Sequence, residues 1–424
     1  MVAVVVAKTA PLQHAQRSGA WPLKRLLGHG LLSIILIVLG SWTIYYTLPL
    51  RSIRLNELKY SQQAPQRFKG YPDAQHAYGM HAWIDQQPEK AAGYFRQAVS
   101  RNVLFIDAWL RLAEIQAAMG HDASAKAILT FVAGMTDQVL RWKWPQMVLA
   151  SQLGMDARFY RNANDLLTRR TLQQDTLQLL HTRLDGNASA VLDVLAQQNL
   201  TAYLEWLMRW GMAEESLVIW QAITANAPVE TTLARRYAHF LLGRKHIDES
   251  VDIWRQYTGS IDLTNPGFEN NITNQGFGWR FWVEKEGNWE LKRVYSESKE
   301  GNYAIRLKFN GKANIAFHHL YQILAVTPDV SYRLTYAWKS RGITTDQNPF
   351  VEIVGYGTCR IHEAGTMMAG THAWQDDSIV FTAPAGCRAV VVRLRRKVSM
   401  RFDSKIRGKI WIDDFRLEKV DAES

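Results

Sequence analysis

The sequence predicts a chain that is helical first and β-stranded second. An α-helical solenoid is followed by an antiparallel β-sandwich of jelly-roll type, behind one N-terminal transmembrane helix. Three observations carry this. Residues 26–48 contain no Asp, Glu, Lys or Arg. Residues 60–258 repeat small and large apolar side chains at a step of 34. Past residue 262, short alternating runs replace the helical pattern.

Composition sets the outer bounds. At 424 residues the chain is too long for one ordinary core. Its hydrophobic content of 47% and charged content of 21% are those of folded protein. The net charge is +11, which attracts anionic partners. No nucleic-acid motif and no RNP-type aromatic strand accompanies it, so no nucleic-acid partner is expected. The cations are scattered, apart from a short run at Arg393, Arg395, Arg396 and Lys397. Anionic envelope material and a merely solubilising surface both fit that charge.

The apolar segment 26–48 follows a cytoplasmic tail, 1–25. At about 1.5 Å per residue it covers a hydrocarbon core of about 30 Å. Trp42, Tyr45 and Tyr46 sit near its end, where interfacial aromatics belong. Lys8, Arg17, Lys24 and Arg25 precede it with no acidic residue, which favours a cytoplasmic N-terminus. A cleaved signal peptide is the rival reading. The run is longer than a signal core and lacks an A-x-A-like site, which favours a retained signal anchor.

Within 60–258, EESLVIW at Glu214 returns as DESVDIW at Asp248, 34 residues on. Gly79 recurs as Ala113, Ala91 as Ala125, Phe95 as Leu129, and Gly120 as Gly154. Trp109 with Leu112 supplies a W-x2-L start. This segment resembles tetratricopeptide repeats, whose period is 34. The resemblance implies paired antiparallel helices and a groove for a protein partner. A spacer role is the alternative. The stretch from Asp175 to Asn199 falls out of register.

Residues 262–420 read as strands at 303–309, 331–338, 350–354, 378–382, 389–395 and 409–413, each alternating and rich in β-branched and aromatic residues. The segment opens with Asn265-Pro266-Gly267-Phe268-Glu269 and Gly278-Trp279. It continues through Ser298-x-x-Gly301-Asn302-Tyr303 and Tyr321-Gln322, and closes with Trp411-Ile412-Asp413-Asp414-Phe415. In that order the series resembles the CenC-type carbohydrate-binding module and its galactose-binding-domain-like relatives. The resemblance implies glycan binding and a structural calcium held by Glu269 and Asp413, with Asp414 as a weaker ligand. Sugar rings need aromatic faces and polar partners. The candidates are Trp282, Trp289, Tyr321, Gln322, Trp338, Tyr356 and Trp374. Trp279 and Trp411 belong to framework motifs and are assigned to the core.

Cys359 and Cys387 show no CxxC or zinc spacing. A disulfide and two buried thiols both remain open. No G-x-S-x-G elbow, HExxH, Walker loop or marked pair of carboxylates is present, so no enzyme activity is expected. The resulting expectation is a single-pass protein of the bacterial inner membrane with its bulk in the periplasm. Its sandwich binds a polysaccharide in synthesis, export or attachment, and its repeats bind an envelope protein. A pure assembly scaffold is the alternative.

Overall fold

The computed structural model describes residues 35–43, 69–259, 263–282 and 287–420. Of the apolar segment 26–48, only 35–43 falls among them. It is helical, with Ile35, Leu36, Ile37, Val38, Leu39 and Trp42 all exposed. Among the described residues no helix is long and apolar enough to cross a membrane. The remainder of the expected span, and all of the 1–25 tail with it, lies outside them.

Helices follow from Pro72. They are α1 (Pro72–Ile84), α2 (Pro88–Arg101), α3 (Ile106–Ala118), α4 (Asp122–Thr136), α5 (Lys143–Gln152) and α6 (Asp156–Thr168). Sequential helices pack as pairs: α1 with α2, α3 with α4, α5 with α6. Proline stands at the start of α1 and of α2, where its missing N–H costs no hydrogen bond. Gly120 and Gly154 end α3 and α5 with φ of +78° and +66°, a left-handed conformation that glycine tolerates. The small residues are at helix crossings. Ala91, Ala113 and Ala125 are fully buried, and a Cβ on Gly79 would meet the Phe95 ring at 2.8 Å.

The chain divides into two compact units, one ending at Arg169 and the other starting at Arg170. The second contains α7 (Gln173–Arg183), α8 (Ala188–Val194), α9 (Leu200–Trp210), α10 (Ala213–Asn226), α11 (Thr231–Gly243), α12 (Ile247–Thr258) and the sandwich. The change of pattern near 263 therefore marks a change of element type inside one compact unit.

The sandwich consists of two five-stranded antiparallel sheets. One has the order β1 (Arg280–Phe281), β4 (Phe317–Ala325), β9 (Ala389–Arg396), β6 (Phe350–Gly355), β7 (His362–Ala364). The other has β2 (Trp289–Tyr295), β3 (Tyr303–Asn310), β10 (Arg407–Val420), β5 (Ser331–Ile343), β8 (Gly370–Thr382). Alternation decides what faces the core. Ile305, Leu307 and Phe309 of β3 point in with Ile410 and Ile412 of β10, against Val390, Val392 and Leu394 of β9. Lys308 and Asn310 stay in water. Cys359 and Cys387 form a disulfide with an S–S distance of 2.05 Å, tying the turn after β6 to the turn before β9.

Helices α11 and α12 lie against one end of the β4–β9–β6 sheet. Tyr356 donates to the Leu242 carbonyl at 2.7 Å, and Lys245 sits 3.6 Å above the Tyr356 ring. Trp254 meets Phe277 edge to face at 5.7 Å. Gly276 N–H donates to Nδ1 of His239 at 3.1 Å, which requires that nitrogen to be unprotonated. Burial, and then the Arg280 guanidinium, hold the His239 pKa below 6.5. Below pH 6.5 the unfolded chain then binds more protons than the folded one, so stability falls as pH drops towards the lowered pKa. His239→Gln keeps an acceptor and removes the titration. Its thermal midpoint is expected to depend less on pH below 6.5 than the parent's; parallel profiles would show that His239 does not carry the effect.

Candidate functional site

The outer face of the β1–β4–β9–β6–β7 sheet carries one continuous transverse row. Arg280 is registered with Tyr321, Tyr321 with Arg393, Arg393 with Glu352, and Glu352 with Ala364. Directly opposed residues in an antiparallel ladder share a face, so these side chains emerge together. Arg395 lies two residues along β9 and Trp282 just past β1.

Glu352 stands next to Arg393 in the row, with its side chain 2% exposed. Its Oε1 accepts from Arg393 Nε at 2.5 Å and lies 3.9 Å from Arg395 Nε; its Oε2 is 3.0 Å from His362 Nε2. A buried carboxylate is stable only when paired and hydrogen-bonded in this way. The pairing uses Nε of each arginine, so their planar forks are oriented but still partly in water, with side chains 29% and 24% exposed. Beside them Trp282 is 43% exposed and meets Tyr321 edge to face at 5.6 Å. Arg280 bonds the Gly276 carbonyl and lies 5.9 Å from the Tyr321 ring. The result is an aromatic corner adjoining three guanidinium groups and one neutralising carboxylate.

Of the residues named from sequence, Trp282 and Tyr321 are brought together here. Three others are in the core and out of reach of any ligand. Trp289 packs on Phe317 and His319, Trp338 is 3% exposed, and Gln322 donates to the Phe277 carbonyl at 2.6 Å. The register places Tyr321 outward and its neighbour Gln322 inward, as strand geometry demands. Tyr356 lies in the turn after β6 and is engaged by α11. Trp374 is on β8 of the opposite sheet, half-buried. The sequence reading missed Arg280, Glu352 and His362 and left Arg393 and Arg395 as a charge run. Its available signal was Glu352, a lone charge inside the apolar run Phe350-Val351-Glu352-Ile353-Val354.

The residues assigned to calcium are occupied otherwise. Asp413 is buried, which raises its carboxyl pKa, and its Oδ2 accepts the amides of Lys299 at 2.8 Å and Glu300 at 3.3 Å. Glu269 Oε1 accepts the amides of Asn302 and Tyr303 at 2.8 and 3.0 Å, which draw its pKa down. Asp414 binds Arg416 through both oxygens, each at 3.0 Å. The Phe268 and Glu269 carbonyls, oxygens of the type calcium takes, accept from Arg293 at 2.7 Å each. Among the described residues no three His, Cys, Asp or Glu side chains group to hold a metal ion. These oxygens therefore fit a clamp on the 298–303 turn better than a calcium cage, with Arg293 supplying the positive charge.

No family model matches the chain, and no curated protein matches it. Solved structures similar to part of it include CBM4, at 14% identity and a TM-score of 0.28, over 37% of this chain and 99% of that one. TmCBM61 in complex with β-1,4-galactotriose is similar at 19% identity and a TM-score of 0.26, over 37% and 97%. A putative sugar-binding protein from Bacteroides thetaiotaomicron is similar at 13% identity and a TM-score of 0.28, over 37% and 99%.

Proposed function

We propose that the sandwich binds a glycan on the Arg280–Tyr321–Arg393–Glu352 row and acts by binding, not by catalysis. The observation that carries this is the row itself. Trp282 and Tyr321 offer ring faces for the CH surface of a sugar. Arg393 and Arg395, oriented by Glu352, offer fixed donors to its oxygens. The excess of guanidinium over carboxylate favours a glycan bearing carboxylate groups, which planar forks bind in bidentate fashion. Glycoside hydrolysis needs two carboxylates across one sugar ring, and the row holds one, already tied to two arginines. In this reading residues 26–48 hold the chain in the bacterial inner membrane with the sandwich on the periplasmic side. The Cys359–Cys387 disulfide supports an oxidising compartment. The helices form a tetratricopeptide-like array that binds an envelope protein, and the assembly serves polysaccharide synthesis, export or attachment.

The test is an array of neutral and uronic-acid-bearing glycans probed with the whole chain. Binding is expected to be strongest on the acidic members. Trp282→Ala with Tyr321→Ala should weaken it by roughly ten- to a hundredfold, about 1.4 kcal/mol for each factor of ten. A folded parent that binds no glycan, or a double variant that binds as well as the parent, would remove the proposal.

A further inference from the structure

The connection from β9 to β10 ends in a tip that water should not favour. Met400 is 94% exposed, Phe402 is 106% exposed and Val398 is 46% exposed. Isolated exposed apolar residues are ordinary; three at alternate positions of one loop, two of them fully exposed, form a presented feature.

The loop is held in this form. At its first foot, Arg396 is fully buried and its guanidinium donates across the loop to the Ser404 carbonyl at 2.9 Å. Ser399, between Val398 and Met400, is 4% exposed. Its amide donates to Asn314 Oδ1 at 2.9 Å, its hydroxyl to Asp346 Oδ1 at 2.5 Å, and its carbonyl accepts from Asn314 at 2.9 Å. At the second foot Ile406 is fully buried and exchanges main-chain bonds with the 311–313 turn. Turning Ser399 inward forces Val398 and Met400 outward, and Phe402 continues the alternation.

Charge surrounds the tip. Lys312, Lys397, Arg401, Lys405 and Arg407 are all exposed, and the carboxylates among them are Asp403 and Asp346, the latter 3.5 Å from Arg401. We propose that this tip docks on an anionic lipid bilayer. Met400 and Phe402 enter the edge of the hydrocarbon, while the long basic side chains stay among the headgroups. A protein partner would demand a broader surface, of about 800 Å² on each side, than two projecting side chains supply. The site is separate from the glycan row and stands on different residues.

The experiment uses the whole chain with Met400→Cys, labelled with an environment-sensitive fluorophore; the native cysteines are paired and do not react. Glu418→Cys, eleven residues along β10 from Arg407 and about 35 Å away, is the reference position. Vesicles of phosphatidylcholine alone are compared with mixed phosphatidylcholine–phosphatidylglycerol vesicles. Insertion of the 26–48 segment would bring either labelled protein to either vesicle, so it cannot mimic the expected pattern. That pattern is a blue shift and a several-fold gain in emission at position 400, on the anionic vesicles only, lost at high salt. Adding Lys405→Gln and Arg407→Gln should weaken this response on the order of tenfold or more. No response at position 400, an equal response at 418, or an equal response on the neutral vesicles would overturn the proposal.

Discussion

Arg396→Met is expected to lower the stability of the sandwich by about 3–5 kcal/mol, a larger loss than that of an ordinary core truncation to a similar volume. Arg396 is fully buried. Its guanidinium donates to the carbonyls of Gln347 at 3.1 Å, Ile315 at 2.5 Å and Ser404 at 2.9 Å, and to Asn314 Oδ1 at 2.7 Å. Desolvation draws its pKa below the ordinary guanidinium value, with Asp346 opposing. Methionine fills much of the space but donates nothing, so three main-chain carbonyls lose their partner in a dry interior. Lysine keeps the charge, yet one ammonium cannot reach acceptors arranged around a planar fork, so Arg396→Lys should fall between the two. The midpoint of the sandwich's unfolding transition in urea reads the loss. Hydrogen exchange should quicken first at residues 397–406, since Arg396 spans the base of that loop. A midpoint equivalent to within about 1 kcal/mol of the parent would mean that water replaces the guanidinium, and the rigid presentation of Met400 and Phe402 would need another cause.

Opening the disulfide should be nearly as costly. Cys359 and Cys387 are separated by 28 residues. Closing a loop of that size restricts the unfolded chain by about 3.5 kcal/mol on the chain-entropy account. For a unit of this size that corresponds to roughly 10 °C in thermal midpoint. The bond also holds the turn that carries Tyr356, whose hydroxyl meets the Leu242 carbonyl and whose ring lies under Lys245. Reduction, or Cys359→Ser with Cys387→Ser, should therefore lower the midpoint of the sandwich and loosen its contact with α11 and α12. Calorimetry with and without reductant measures the first, and hydrogen exchange across α11 the second. A midpoint unmoved by full reduction would show that the surrounding core fixes the turn unaided.

Much of the element plan was legible in the sequence because it is written locally. The alternation at 303–309 or 389–395 is a property of consecutive residues, and β3 and β9 formed there. The small residues at 79, 91, 113 and 125 mark close helix crossings wherever those helices pack, and they are buried. Fixed termini were less visible. Strands β5, β8 and β10 run well beyond their alternating cores, through bulges that shift the register and mask the period.

The candidate site was legible only in fragments. Trp282 and Tyr321 announce themselves by residue type, but so do Trp289 and Trp338, which are buried. An exposed aromatic and a core aromatic obey the same alternation. Only the opposing sheet and the packed helices decide which side of the strand is wet. The row Arg280, Tyr321, Arg393, Glu352, Ala364 is drawn from five strands that are not in chain order. Its residues become neighbours through ladder register, and register is set by pairing between distant segments. The sequence by itself determined that helices precede strands, which positions are apolar, and that cations exceed acids. The tertiary structure alone decided that two of those cations would gather about one buried carboxylate, in a row that continues to an aromatic corner, because burial and neighbourhood are properties of the packed chain.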